Sequence, residues 1–310
     1  MALLESARSR HTRGVARAMV LGAGFGTRLR PLTEELPKPL LPIGDRSLLE
    51  HAIAAFRGAG LGASLVVNVH HLAGEFARRL PFSAPVQLVV EPEIRGTAGG
   101  IAGARSVLGP APVVVMIGDV LLEHVPPDFA ETAASGGLVL AALPRPRGSG
   151  TVGVGAEGQL VRLRGERFGD EVAGGDYVGL AALGERALAE LPERGCLIAD
   201  YALPKLRAGA RIQIFPYAGS ALFPGDELSG LLASNLAWLD AKKLNSYVGN
   251  GADLDPGVEL ERSLIGDGAR IEGRGSVTRS LILPHAVCRA PLSDAIVAPS
   301  GLVISISNNA

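Results

Sequence analysis

The sequence predicts an α/β fold with a mixed, mostly parallel sheet, followed by a short parallel β-helix. Three observations carry this. Short apolar runs alternate with helical patterns through the first half of the chain. Two of those runs end in signals typical of ligand-binding strand ends, a glycine-rich turn and a Gly-Asp pair. Beyond about residue 245, aliphatic residues recur at six-residue intervals.

Residues 18–21 (AMVL) read as a strand, and 48–60 as a helix with Leu49, Ile53 and Phe56 on one face. A second strand (64–69), a second helix (72–80), a third strand (86–90) and a third helix (99–108) follow. Residues 113–117 (VVVMI) are a continuous apolar strand ending in Gly118 and Asp119. Apolar strands separated by helices pack as a parallel sheet covered on both faces. Ligands of such sheets bind beyond the carboxyl ends of the strands, so glycines 22, 24 and 26 and Asp119 should share one crevice. From about Leu138 the pattern loosens into short strands at 152–154, 160–164 and 177–183. Helices at 185–191 and about 200–208, a strand at 211–217 and a closing helix at 228–239 complete this part, with Trp238 in an apolar stripe.

In the tail, Val248, Leu254 and Leu260 are spaced by six, as are Ile265, Ile271 and Val277. The tetrapeptide Arg-Ser-Leu-Ile occurs at 262–265 and again at 279–282. Hexapeptide periodicity builds a parallel β-helix with three short strands per coil, and about three coils fit. His285 reads as a turn residue within it. The expected organisation is an extension without order at 1–17, an α/β domain at 18–243 and a β-helix at 244–310.

Composition narrows the function. With 30 Lys and Arg against 31 Asp and Glu, no global field favours nucleic acid or an anionic membrane, so anion recognition has to be local. Two distant cysteines, Cys196 and Cys288, support neither a disulfide framework nor a zinc cluster, and reduced thiols suit a cytoplasmic protein. No apolar run approaches the ~18 residues of a membrane span. The histidines of the VNVHH stretch, His70 and His71, have no ligand cluster around them, so a metal site there is not expected.

The densest signal is VLGAGFGTRLRPLTEELPKPLLPIG at 20–44. A dinucleotide fingerprint would need glycine at position 27 and a helix beyond it. Thr27 stands there instead, and prolines at 31, 37, 39 and 42 forbid the helix, which excludes the dehydrogenase reading. Closely spaced glycines let backbone N–H groups approach phosphate oxygens. Arg28 and Lys38 add two cations on a proline-stiffened arm, suited to charge that develops on a transferring phosphoryl group. Arg grips phosphate bidentately, whereas Lys acts as a point charge.

This stretch resembles the glycine loop, GTR-x-x-PLT and PKP-x-x-P signature of the sugar-phosphate nucleotidylyltransferases, the NDP-sugar pyrophosphorylases. EPEIRGTAGGI at 91–101 is similar to that family's segment framing base and ribose, and VVVMIGDVLL at 113–122 to its strand carrying the magnesium aspartate. The nearest pattern is the bacterial mannose-1-phosphate guanylyltransferase-like group, whose C-terminal left-handed β-helix matches 248–303. The resemblance implies a Rossmann-like nucleotidyltransferase domain that makes NDP-sugar and pyrophosphate from an NTP, GTP favoured, and a sugar 1-phosphate. It implies Arg28 and Lys38 as catalytic cations, and Leu21, Gly22, Ala23, Gly24, Gly26 and Thr27 as the phosphate cradle. Gly96, Thr97, Ala98 and Gly99 would face base and ribose, and Asp119 would bind Mg²⁺. A homo-oligomer through the β-helix is also expected, with no nucleic acid or membrane partner.

Two places depart from the family pattern. The Glu-Lys pair for the sugar phosphate reads Glu166 and Arg167, with Gly179 expected close to the sugar. The second magnesium aspartate falls on Pro224 when counted back from LLASN at 231–235, leaving Asp226 as the expected substitute ligand. The alternative function is a non-catalytic, nucleotide-sugar-binding regulatory paralogue. Asp200, in LIADYALPKL, is expected to cap a helix.

Overall fold

The computed structural model describes residues 17–62, 65–80, 86–109, 112–225 and 227–307. The expected N-terminal extension therefore lies outside the described residues, except for Arg17.

The central strand Arg17–Leu21 runs parallel to both its neighbours, Val113–Ile117 and Leu65–Val69, and Val86–Val90 extends the parallel half. Ala18, Met19 and Val20 are fully buried, as a strand covered on both faces requires. On the far side Ala173–Leu183 pairs antiparallel with Val113–Ile117 and also with Val152–Val154 and Leu138–Arg145. The strand Leu138–Arg145 is not anticipated from its sequence. It forms because Ala173–Leu183 and Gln213–Pro216 bond to its two edges and bury Leu138, Val139, Leu140, Ala141 and Ala142.

The helix Leu48–Gly58 starts on a capping box in which Ser47 Oγ accepts from Glu50 N and Glu50 Oε2 accepts from Ser47 N. It buries Leu49, Ile53 and Phe56. The third helix starts earlier than its pattern suggests, at Gly96, and Ala104 separates Gly96–Gly103 from the turn Arg105–Leu108. The expected helix near Asp200 is the wide turn Leu197–Ala202 leading into Leu203–Arg207. Cys196, not Asp200, is its N-cap; Asp200 reaches back and accepts from Cys196 N at 2.6 Å.

The proline-rich arm folds as three 3₁₀ turns, Thr27–Leu29, Leu32–Glu34 and Lys38–Leu40. Leu29, Leu32, Leu36 and Leu40 anchor it in the main core. Buried Asn235, on the helix Leu228–Lys242, accepts from Gly44 N and donates to Pro42 O, fixing the arm's far end. Glu35 Oε2 accepts from Ser300 N at 2.8 Å, tying the arm to the C-terminal coils. Trp238 is partly buried against the main core and meets Tyr247 edge to face.

Beyond Leu228–Lys242 the strands Tyr247–Val248, Leu264–Ile265, Leu281–Ile282 and Ala295–Val297 stack in parallel. A second stack joins Asp253–Leu254, Arg270–Thr278 and Val287–Ser293. Tyr247 lies opposite Leu264 and Leu264 opposite Leu281, so the repeated Arg-Ser-Leu-Ile falls at one place in successive coils. There Arg262 and Arg279 turn the chain in the left-handed region, at φ 47° and 46°. Ser263 and Ser280 are fully buried: Ser263 Oγ accepts from Ser280 N, and Ser280 Oγ accepts from Ala295 N. A ladder of serines thus satisfies the backbone at that corner. No described helix is long and apolar enough to cross a membrane.

Candidate active site

The carboxyl ends of the parallel strands open into a cleft of about 420 Å³. Its lining includes Leu21, Gly22, Ala23, Gly24, Gly26 and Thr27 from the glycine loop, and Arg28 and Lys38 from the arm. Thr97, Ile117 and Asp119 close it from neighbouring elements. The crevice expected between the glycine loop and Asp119 is therefore present.

Within the loop, Gly22 N is already bonded, to Asn68 O at 3.1 Å and Asn68 Oδ1 at 3.0 Å. The next N–H groups, of Ala23, Gly24, Phe25 and Gly26, donate to no acceptor among the described residues. A run of unpaired N–H groups in a concave turn is an anion cradle. Gly26 turns the loop at φ 59°, a conformation that favours glycine, and Thr33 Oγ1 donates to its carbonyl at 2.8 Å. Phe25 is exposed between the glycines, its ring held edge-on by His70 and tilted against His71. His70 Nδ1 is bonded to Glu91 O and His71 Nε2 to Thr33 O, so this pair props the loop.

Lys38 Nζ lies 3.0 Å from Asp119 Oδ2, with the lysine side chain 13% and the aspartate 42% exposed. Asp119 belongs to no cluster of three or more potential metal ligands among the described residues. A carboxylate opening onto an anion cradle fits the way hard cations such as Mg²⁺ bind, through one or two carboxylates plus substrate phosphates. Asp226, the expected second carboxylate, lies outside the described residues. Pro224 beside it is buried, and Gly225 turns the chain at φ 83°.

GTAGG is the start of a helix, not a loop, and only Thr97 of its residues lines the cleft. Ala98 and Gly99 are buried. A strap at 192–197 lies across the helix start: Gly195 O accepts from Ala98 N at 2.9 Å, and Thr97 Oγ1 accepts from Leu197 N at 2.7 Å. A Cβ at Gly99 would lie 2.5 Å from Glu193 O, and one at Gly96 2.6 Å from Gly195 O. These glycines are set by close packing against the strap.

Glu166 and Arg167 stand on an edge hairpin and do not line the cleft. Glu166 is bonded to Arg207, whose guanidinium holds the carboxyl below its usual range. Gly179, at φ 76° within a bulge of its strand, backs directly onto Ile117, a cleft residue.

Two buried polar residues that the sequence reading does not single out lie beside the cleft residue Gly22 and the N-cap Arg95. Asn68, next to last in its strand, and Glu91, just past the end of the neighbouring strand, are 2% and 4% exposed. Asn68 Nδ2 donates to Glu91 Oε1 at 2.7 Å, and Glu91 Oε2 accepts from Arg95 N at 3.1 Å. A polar residue at the end of an apolar strand was the available hint.

A parallel sheet with a glycine loop and an aspartate at adjoining strand ends defines an α/β protein with a phosphate-binding crevice. Residues 17–159, just under half of the chain, match the family model described as nucleotidyl transferase. The chain is 27% identical over 291 residues to "Mannose-1-phosphate guanylyltransferase" of Mycobacterium tuberculosis, covering 82% of this chain and 81% of the relative. It is 36% identical over 125 residues to "Mannose-1-phosphate guanyltransferase" of Schizosaccharomyces pombe, a match spanning 38% of this chain and only 33% of that protein. Among solved structures, HddC from Yersinia pseudotuberculosis complexed with GMP-PN aligns with a TM-score of 0.59 at 17% identity, over 72% of this chain and 99% of that one. That likeness establishes the fold.

Proposed function

We propose that the protein transfers a nucleotidyl group from an NTP to a sugar 1-phosphate, releasing pyrophosphate and forming an NDP-sugar. GTP and mannose 1-phosphate are the favoured pair, on the strength of the relatives' names. The carrying observation is one cleft that unites unpaired loop N–H groups with Arg28, Lys38 and Asp119.

In this reading the loop N–H groups and Arg28 hold the β- and γ-phosphates, which leave as pyrophosphate. Lys38 neutralises charge building on the α-phosphate as a sugar phosphate oxygen attacks in line. No covalent intermediate is needed, because positioning and preorganised cations lower the barrier. Lys38 has to exchange Asp119 for phosphate on substrate binding, which its position 3.0 Å from that carboxylate makes a small movement. Thr97 borders the nucleoside end of the cleft. Glu166, Arg167 and Gly179 are assigned to the sugar phosphate, with Glu166 leaving Arg207 to take part. Mg²⁺ would be held by Asp119, joined by Asp226, and would supply further charge neutralisation at the phosphates.

The relatives' names favour this transferase over a non-catalytic binding subunit. We further read the coils as a left-handed β-helix serving a cytoplasmic homo-oligomer. The test is pyrophosphate release with Mg²⁺ across several NTPs and sugar 1-phosphates. Turnover with one pair supports the reading, and nucleotide binding without turnover on any pair overturns it.

A further inference from the structure

We propose that Asn68 and Glu91 are positioning residues that lock the phosphate loop to the helix bearing Thr97, so that one rigid frame receives both ends of a nucleotide. The role rests on the nucleotide-binding reading above. Its geometry does not.

The chain of bonds has a fixed direction. Gly22 N donates to Asn68 Oδ1, Asn68 Nδ2 donates to Glu91 Oε1, and Arg95 N donates to Glu91 Oε2. Gly22 opens the cradle, and Arg95 is the residue on which the Thr97 helix starts. Both side chains in between are almost wholly buried, so water cannot replace a lost partner. The space around them is full: a Cβ at Gly100 would lie 2.5 Å from Asn68 Nδ2 and 2.9 Å from Glu91 Oε1.

The two ends impose a chemical requirement. Each end of the link is a backbone N–H, so each terminal atom must accept, while the central contact needs one donor and one acceptor. An amide joined to a carboxylate satisfies this, and two amides or two carboxylates do not. In Glu91→Gln, Asn68 Nδ2 or Arg95 N faces another donor. In Asn68→Asp, two buried carboxylates meet, and they repel each other unless a proton is taken up from solution. The exchanged pair, Asn68→Asp with Glu91→Gln, reverses only the central bond. The amide now at position 91 donates to the carboxylate now at position 68, and both terminal N–H groups keep an acceptor.

The experiment measures GTP and inorganic pyrophosphate affinity by calorimetry, with amide exchange at Gly22 and Arg95, for the wild type, both single variants and the exchanged pair. Pyrophosphate engages the loop alone, whereas GTP must reach both arms of the frame. Each single variant should weaken GTP binding about tenfold, the effect of one broken buried hydrogen bond, and leave pyrophosphate binding within about twofold. Asn68→Asp should speed exchange at the Arg95 amide, which Asn68 does not touch. The exchanged pair should recover both readouts. If a single variant does not fold, recovery of folding in the exchanged pair serves as the same readout. An exchanged pair no better than the worse single variant, or an Arg95 amide indifferent to Asn68→Asp, overturns the proposal. A wild type that binds neither GTP nor pyrophosphate would instead sink the functional reading, and amide exchange alone would then decide the lock.

Discussion

Two glycine-to-alanine changes on helices should move stability in opposite directions. In Gly99→Ala the new methyl carbon would stand 2.5 Å from Glu193 O, 2.7 Å from Arg95 Cβ and 2.9 Å from Arg194 Cα. Two of those atoms are backbone, so the strap must withdraw. Overpacking of this kind costs about 1–3 kcal/mol. Withdrawal also stretches the bonds from Ala98 N to Gly195 O and from Leu197 N to Thr97 Oγ1, worth about 1 kcal/mol each. Alanine's better helix propensity returns at most about 1 kcal/mol, so the expected net loss is about 2–4 kcal/mol. In Gly58→Ala, the last residue of its helix, nothing lies within 4 Å of the added carbon, and a gain of up to about 1 kcal/mol is expected. Urea unfolding at a common denaturant slope reads both values. Nucleotide affinity should fall only in Gly99→Ala, because Thr97 shifts with the strap. A Gly99→Ala protein as stable as Gly58→Ala would refute the packing account.

In a pyrophosphate-release assay, Lys38→Met should cut turnover by about 10²–10³ through loss of a fixed cation, with a stability change near 1 kcal/mol measured by urea unfolding. Asp119→Asn should depress turnover comparably and raise the Mg²⁺ concentration needed, read from the same assay. Glu171, almost wholly buried, is held at about 2 by hydrogen bonds from Arg162 and Gly148 N. Its folded-state value is depressed, so its contribution is full above the unfolded carboxylate range near 4.5 and is lost as pH falls toward about 2. Glu171→Gln should therefore flatten acid unfolding in that window, monitored by circular dichroism from neutral pH downward. Ser263→Ala removes the hydroxyl that accepts from Ser280 N and should cost about 1–3 kcal/mol in urea unfolding.

Much of the fold was legible because the relevant signals are local. The apolar runs at 18–21 and 113–117 are strands that sit beside one another, and the repeated Arg-Ser-Leu-Ile marks one corner of stacked coils. Most of the cleft lining was equally readable, since the loop, Arg28 and Lys38 lie in one stretch. Leu138–Arg145 was hidden because a short apolar run such as LVLAAL cannot be told from a buried helix segment by periodicity alone. The meaning of GTAGG was hidden for a longer-range reason: the atoms that forbid a side chain at Gly99 belong to residues 193 and 194. Glu91 opens the EPEIRGTAGGI stretch and Asn68 lies in VNVHH, but neither stretch announces their direction-dependent link, which exists only once three strand ends converge.

The bond from Glu35 to Ser300 has a further consequence. The three 3₁₀ turns of the arm close on their own backbone bonds, and the arm is held to the rest of the chain through Leu36 and Leu40, Asn235 and this contact. Where Lys38 stands is therefore decided partly by coils that contribute no residue to the cleft. Under the proposed function, changes at the coil surface become a means of tuning turnover from a distance. Selection on the tail and selection on the cleft are, at this one lysine, the same selection.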